Sequence, residues 1–193
     1  MQLALVSAPG IPSQAADSAP GPLAVSCLPE GVGFFKARLQ GAIDTQIDWP
    51  NAGTRCEGEE RPSHGGLRLS FRRDPATAPD LLFVFGISKI RENQAGQGVA
   101  VNVTIIEQGG SRIFATQGDG RCTMDSLRQW RLPETPTAAA EPKATSPPPR
   151  RYRVEGRGFC TSPAHAVHDK GSVLLTTFDF SGVVRFDGQE QSP

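Results

Sequence analysis

Three stretches alternate apolar and polar residues with a period of two. In residues 43–49, Ile43, Ile47 and Trp49 oppose Asp44, Gln46 and Asp48. In 67–72, Leu67, Leu69 and Phe71 oppose Arg68, Ser70 and Arg72. In 99–105, Val99, Val101, Val103 and Ile105 share one side. Such alternation marks strands with one buried and one solvated face. Residues 81–90 open with the continuous run Leu81, Leu82, Phe83, Val84, Phe85, which suits a strand buried on both faces. Further strands are expected at 34–39, 111–116, 151–159, 172–180 and 183–186.

Turn chemistry separates these runs. Gln108, Gly109, Gly110 and Ser111 suit a hairpin; Gly118-Asp119-Gly120 and Ser181-Gly182 read as turns. The sole helix candidate is 123–132, whose long apolar residues are Leu127, Trp130 and Leu132. About eight or nine short strands with frequent turns predict an all-β fold, an antiparallel β-sandwich or flattened barrel.

Between 133 and 150 the pattern disappears. Pro133, Pro136, Pro142, Pro147, Pro148 and Pro149 are spaced by Ala and Thr, giving an extended, semi-rigid loop or linker. The segment after it offers about three strands, too few to fold alone. It is therefore expected to return to the same sheet, making 27–187 one β domain with a Pro-rich insertion. Residues 1–26 read as a flexible lead. Leu3 to Val6 could be the remnant of a signal-peptide apolar core, but no basic segment precedes them. Residues 188–193 read as a disordered tail.

Composition narrows the class. The 193 residues carry 20 Lys and Arg against 20 Asp and Glu, for a formal net charge of zero. This excludes a polybasic nucleic-acid binder, and no nucleic-acid partner is expected. No apolar run approaches the ~18 residues of a transmembrane helix. Four widely spaced cysteines, Cys27, Cys56, Cys122 and Cys160, form no C-x-x-C pair. An even number at such spacing predicts disulfides and an oxidising compartment. Four cysteines allow three connectivities. Cys27–Cys56 and Cys122–Cys160 are preferred, because the second would clip together the two ends of the Pro-rich insertion. Each closed loop would contribute roughly 3–4 kcal/mol in the chain-entropy model. The Ala, Pro, Arg and Gly usage has a bacterial character, which places the protein in the periplasm or outside the cell.

Candidate chemistry is sparse. His165, His168 and Asp169 are the most metal-like group, with His64 as a remote third ligand. Pro163 and Gly171 bracket them, so an exposed loop is the expectation and no metal is favoured. Cys160 could act as a nucleophile with His165 or His168 only as a free thiol. No G-x-S-x-G elbow and no phosphate-binding glycine loop occurs. Asp44 and Asp48 are expected on a solvent face. The run Glu57, Gly58, Glu59, Glu60 is expected to be a solvated loop, with weak calcium binding as the alternative. Arg150, Arg151, Tyr152 and Arg153, with Arg157 beyond, form a local basic patch, read as a charged edge. Trp49 and Trp130 read as core or rim packing. Asn102-Val103-Thr104 fits a glycosylation sequon inside a strand.

With no cofactor implied, the first expectation is a non-catalytic binding or interaction module of the bacterial cell envelope. Its partner would be an envelope protein, glycan or lipid. The alternatives are a metal-dependent or hydrolytic envelope enzyme centred on His64, His165 and His168, and a structural subunit of a surface assembly.

Overall fold

A computed structural model describes residues 25–61, 65–110, 112–116, 118, 120–134 and 149–187. His64, the lead up to residue 24, residues 135–148 of the Pro-rich insertion and the tail from 188 lie outside the described residues. The described residues form β1 (Phe34–Gly41), β2 (Thr45–Pro50), β3 (Thr54–Glu60), β4 (Gly66–Arg73), β5 (Leu81–Ser88) and β6 (Val99–Glu107). They continue with β7 (Arg112–Ala115), β8 (Cys122–Arg131), β9 (Arg150–Cys160), β10 (Ala164–Ala166) and β11 (Ser172–Phe186). The described residues are all-β, as the alternation predicts, with eleven strands among them rather than eight or nine.

The strands build one sheet that partly closes into a ring, not an even barrel. Its path runs β10-β7-β6-β5-β4-β3-β11-β1-β2, and β8 and β9 bridge β6 to β11. Pairing is antiparallel except where β3 meets β11, a single parallel bridge between Glu59 and Arg185. β11 is the organising strand. It pairs with β1 through residues 173–181 and with β9 through 178–186. The segment after the Pro-rich insertion thus returns to the same sheet.

Phenylalanines fill the space inside the ring. Phe35 of β1 lies 4.9 Å from Phe71 of β4 and 4.6 Å from Phe83 of β5, between ring centroids. Phe178 and Phe180 of β11 reach Phe85 at 5.1 and 5.6 Å. These positions are fully buried, and each such side chain contributes roughly 1.5–3 kcal/mol by leaving water. The inward set alternates with polar outward residues along β2 and β4, whereas β5 turns Leu82 and Val84 outward and β11 is buried without a break from Phe180 to Val184.

Several local expectations are corrected. Residues 123–132 are not helical but belong mostly to β8. A bulge between Met124 and Ser126 inserts an extra residue, so Met124 and Leu127 are both buried although three apart. That spacing imitates a helical face. Ser181-Gly182 is not a turn; β11 runs straight through it. A side chain at Gly182 would come within 3.0 Å of the Phe71 ring, so the glycine serves packing. Glu57 to Glu60 form strand rather than loop, paired with β4 from Glu57↔Ser70 to Glu60↔Leu67. Their glycine also serves close approach: a Cβ on Gly58 would strike the Val183 carbonyl of β11. His165 stands on β10, a short strand between β7 and β11, rather than in a loop.

Candidate functional site

The outward residues of β2, β1, β11 and β9 fall into register across four strands. Asp48 lies opposite Lys36, Lys36 opposite Asp179, and Asp179 opposite Arg157. The row therefore alternates negative, positive, negative, positive, the arrangement cross-strand pairing favours. The Lys36 ammonium lies 3.5 Å from the Asp48 carboxylate. In the next row Arg38 lies between Gln46 and Thr177, and its guanidinium reaches Asp44 at 2.7 Å.

Two bulges shape this face, one between Arg38 and Leu39 against β11 and one between Met124 and Ser126 against β9. Bulges bend a strand and increase its local twist. The face encloses a groove of about 820 Å³, within the roughly 300–1,000 Å³ usual for small-ligand sites. Three cations, Lys36, Arg38 and Arg157, and three carboxylates, Asp48, Asp125 and Asp179, line it together with Phe159 and Thr177. Its floor is tightly built. Gly158 of β9 passes so close to β8 that a Cβ would strike the Thr123 carbonyl and approach Phe178 to 2.6 Å. Burial raises the Asp179 carboxyl above the usual aspartate value, Glu155 adds to this, and Arg157 and Lys36 oppose it.

The basic patch is not a sheet edge: β9 is paired with β11 on one side and β8 on the other, and its arginines are tied into the protein's own structure. Arg150 donates two hydrogen bonds to Glu92, at 2.6 and 2.7 Å. This pairing holds Glu92 below the ordinary glutamate value, against the opposing effect of burial. Tyr152 is buried, and burial first, then Glu92, raises its phenol. Arg153 reaches Glu155 at 2.6 Å and lies over the Trp130 ring at 4.7 Å. Arg151 stands opposite Arg185 in the β9–β11 ladder. Trp49 is buried, whereas Trp130 is exposed beneath Arg153.

The remaining candidates do not gather. His165 and His168 are both exposed, as is Asp169. Among the described residues no group of three His, Cys, Asp or Glu could hold a metal ion. Glu59 pairs with Arg68 at 3.3 Å, and with Glu57 and Arg185 it lines a small cleft of about 190 Å³. The cysteines form two disulfides, Cys27–Cys56 and Cys122–Cys160, so Cys160 offers no thiolate. These bonds suggest an oxidising, extracytoplasmic setting. Among the described residues no helix is long and apolar enough to cross a membrane.

Sequence reasoning singled out Asp48 but missed Lys36, Arg38, Asp125 and Asp179 and gave Arg157 to the basic patch. Alternation places Lys36, Arg38, Arg157 and Asp179 on outward faces, the bulge at Asp125 hides the fifth, and only the long-range register makes them neighbours. Compared with known proteins, the chain matches no family model, no curated protein and no solved structure.

Proposed function

We propose that this protein is a non-catalytic binding module of the bacterial cell envelope, periplasmic or secreted, and that the groove across β2, β1, β11 and β9 is its contact surface. The charge-balanced row Asp48, Lys36, Asp179 and Arg157 carries this reading. Its side chains project from paired strands, so their spacing is fixed before any partner arrives, which lowers the ordering cost of binding. The two disulfides support an oxidising location.

The test is co-sedimentation of the purified, oxidised protein with isolated bacterial envelope fractions. The double variant Lys36→Glu/Arg157→Glu reverses both cations of the row. It should reduce the bound fraction about tenfold or more while leaving the circular dichroism spectrum and melting temperature near wild type. Equal sedimentation of a folded variant, or none by the wild type, would overturn the proposal.

A further inference from the structure

We infer that the groove binds a neutral saccharide. The inference rests on the groove being the binding surface and adds the ligand's chemistry. Its lining carries three cations and three carboxylates, so no excess of one sign among them selects a phosphate, a polyanion or a cationic peptide. It does offer, side by side, strong donors and strong acceptors. Sugar hydroxyls each donate and accept, and they satisfy both kinds at once.

The spacing agrees. Neighbouring strands repeat at about 4.8 Å, on the scale of one sugar ring, so successive rings lying across the strands would meet Asp48, Lys36, Asp179 and Arg157 in turn. Thr177 adds a hydroxyl and Phe159 an apolar surface for ring C–H groups. Hydrogen bonds to charged groups are the strong ones. Asp179 is half-buried between Lys36 and Arg157 in the ladder, which makes it the central acceptor.

The probes are the neutral trisaccharides cellotriose, maltotriose and chitotriose, titrated calorimetrically into the oxidised protein. A heparin oligosaccharide and a lysine-rich peptide serve as charged comparators. At least one neutral probe should bind, with affinity unchanged when salt is raised about tenfold, because no net charge is neutralised on binding. Asp179→Asn and Arg157→Gln should each weaken binding about 10- to 100-fold, the loss of a charged hydrogen bond. Lys36→Gln, at a site more than half exposed, provides a third variant if either of those fails to fold.

Absence of binding by all three neutral probes, equal binding by folded variants, or preference for a charged comparator would overturn the inference. If the neutral probes fail while groove variants still lose envelope sedimentation, the saccharide assignment falls and the binding-module reading stands. If both assays are silent, both fall.

Discussion

The two disulfides close loops of similar length yet hold very different parts of the structure. Cys122 and Cys160 sit directly opposite each other on β8 and β9, within a ladder that continues to Arg131↔Tyr152. Hydrogen bonds already hold these strands together. Cys27 belongs to a short strap, residues 25–33, joined to the sheet by one isolated bridge, Ser26↔Ala52, and by the Asn51 amide. Asn51 accepts from the Leu28 and Gly33 amides and donates to the Leu28 carbonyl. The bond to Cys56 lies at the seam where β3 meets β11 through one bridge only. The Cys27 sulfur packs 3.4 Å from the Ser181 carbonyl. A disulfide sulfur has no proton to donate, so this contact is packing. The comparison separates two roles of a cross-link. Both restrict the unfolded chain, but only the Cys27–Cys56 bond also fastens a segment that lies outside the ladders, the strap, to β3 beside the seam.

Chain entropy alone ranks the two bonds together. Sequence separations of 29 and 38 residues correspond to about 3.6 and 3.9 kcal/mol, slightly favouring Cys122–Cys160. The native-state role reverses that order. The pair Cys27→Ala/Cys56→Ala should cost about 4–5 kcal/mol in denaturant unfolding. In native-state hydrogen exchange the Leu28 and Gly33 amides should then open below the global free energy. The pair Cys122→Ala/Cys160→Ala should lose only the chain-entropy contribution, about 3.9 kcal/mol, and leave the β8–β9 amides exchanging only through global unfolding. Equal losses with the same exchange pattern would erase the distinction between seam and ladder.

Gly58 sharpens it. In wild type, Gly58→Ala would drive a methyl into the Val183 carbonyl across the seam, an overpacking cost of about 1–3 kcal/mol. Without Cys27–Cys56 the seam can yield, so the same substitution should cost about 1 kcal/mol less. In the Cys122→Ala/Cys160→Ala background its cost should not change. Additivity in both backgrounds, measured by a double-mutant cycle, would show that the seam is rigid without its disulfide. Asn51→Ala removes the strap's side-chain anchor, leaving the Ser26↔Ala52 bridge, and should cost about 1–2 kcal/mol, with the same early opening of the Leu28 amide.

The seam and the groove were the least legible parts of the sequence, and for one reason. Residues 43–49, 67–72 and 99–105 show strands because each buries alternate side chains by itself. β3 does not, because only Thr54 and Cys56 of its seven residues are buried; its neighbours Glu57 and Glu59 face outward and read as loop. β8 was disguised by its bulge. The groove needs Lys36, Asp48, Arg157 and Asp179 side by side, yet Lys36 and Asp179 are far apart in the chain. Local pattern assigns such residues to a solvated face. It does not say which strand lies next to which.

Acid should act on the ladder and spare the seam, with the smallest effect. Glu92, in the turn after β5, is held to the start of β9 by Arg150 at 2.6 Å, and its carboxyl is depressed by that bond, with Tyr152 and Arg131 adding to the effect. A depressed folded value means that the unfolded chain binds the proton first. The stabilisation is therefore present above the ordinary glutamate value of about 4.3 and is lost as pH falls through the lower folded value. The pair is partly solvated, so its contribution stays below about 1 kcal/mol. Glu92→Gln should lower stability at neutral pH and flatten the pH dependence below about 4.3, with the strap amides unaffected. Gln129 donates from the neighbouring β8 to the Arg91 and Gln94 carbonyls, holding the same turn independently of pH. The turn should therefore loosen in acid without detaching, and Arg91 to Gln94 amide exchange should rise while that of Leu28 stays constant. A parallel rise at Leu28 would mean that acid loosens ladder and seam as one unit, and the two regions would then no longer be separable.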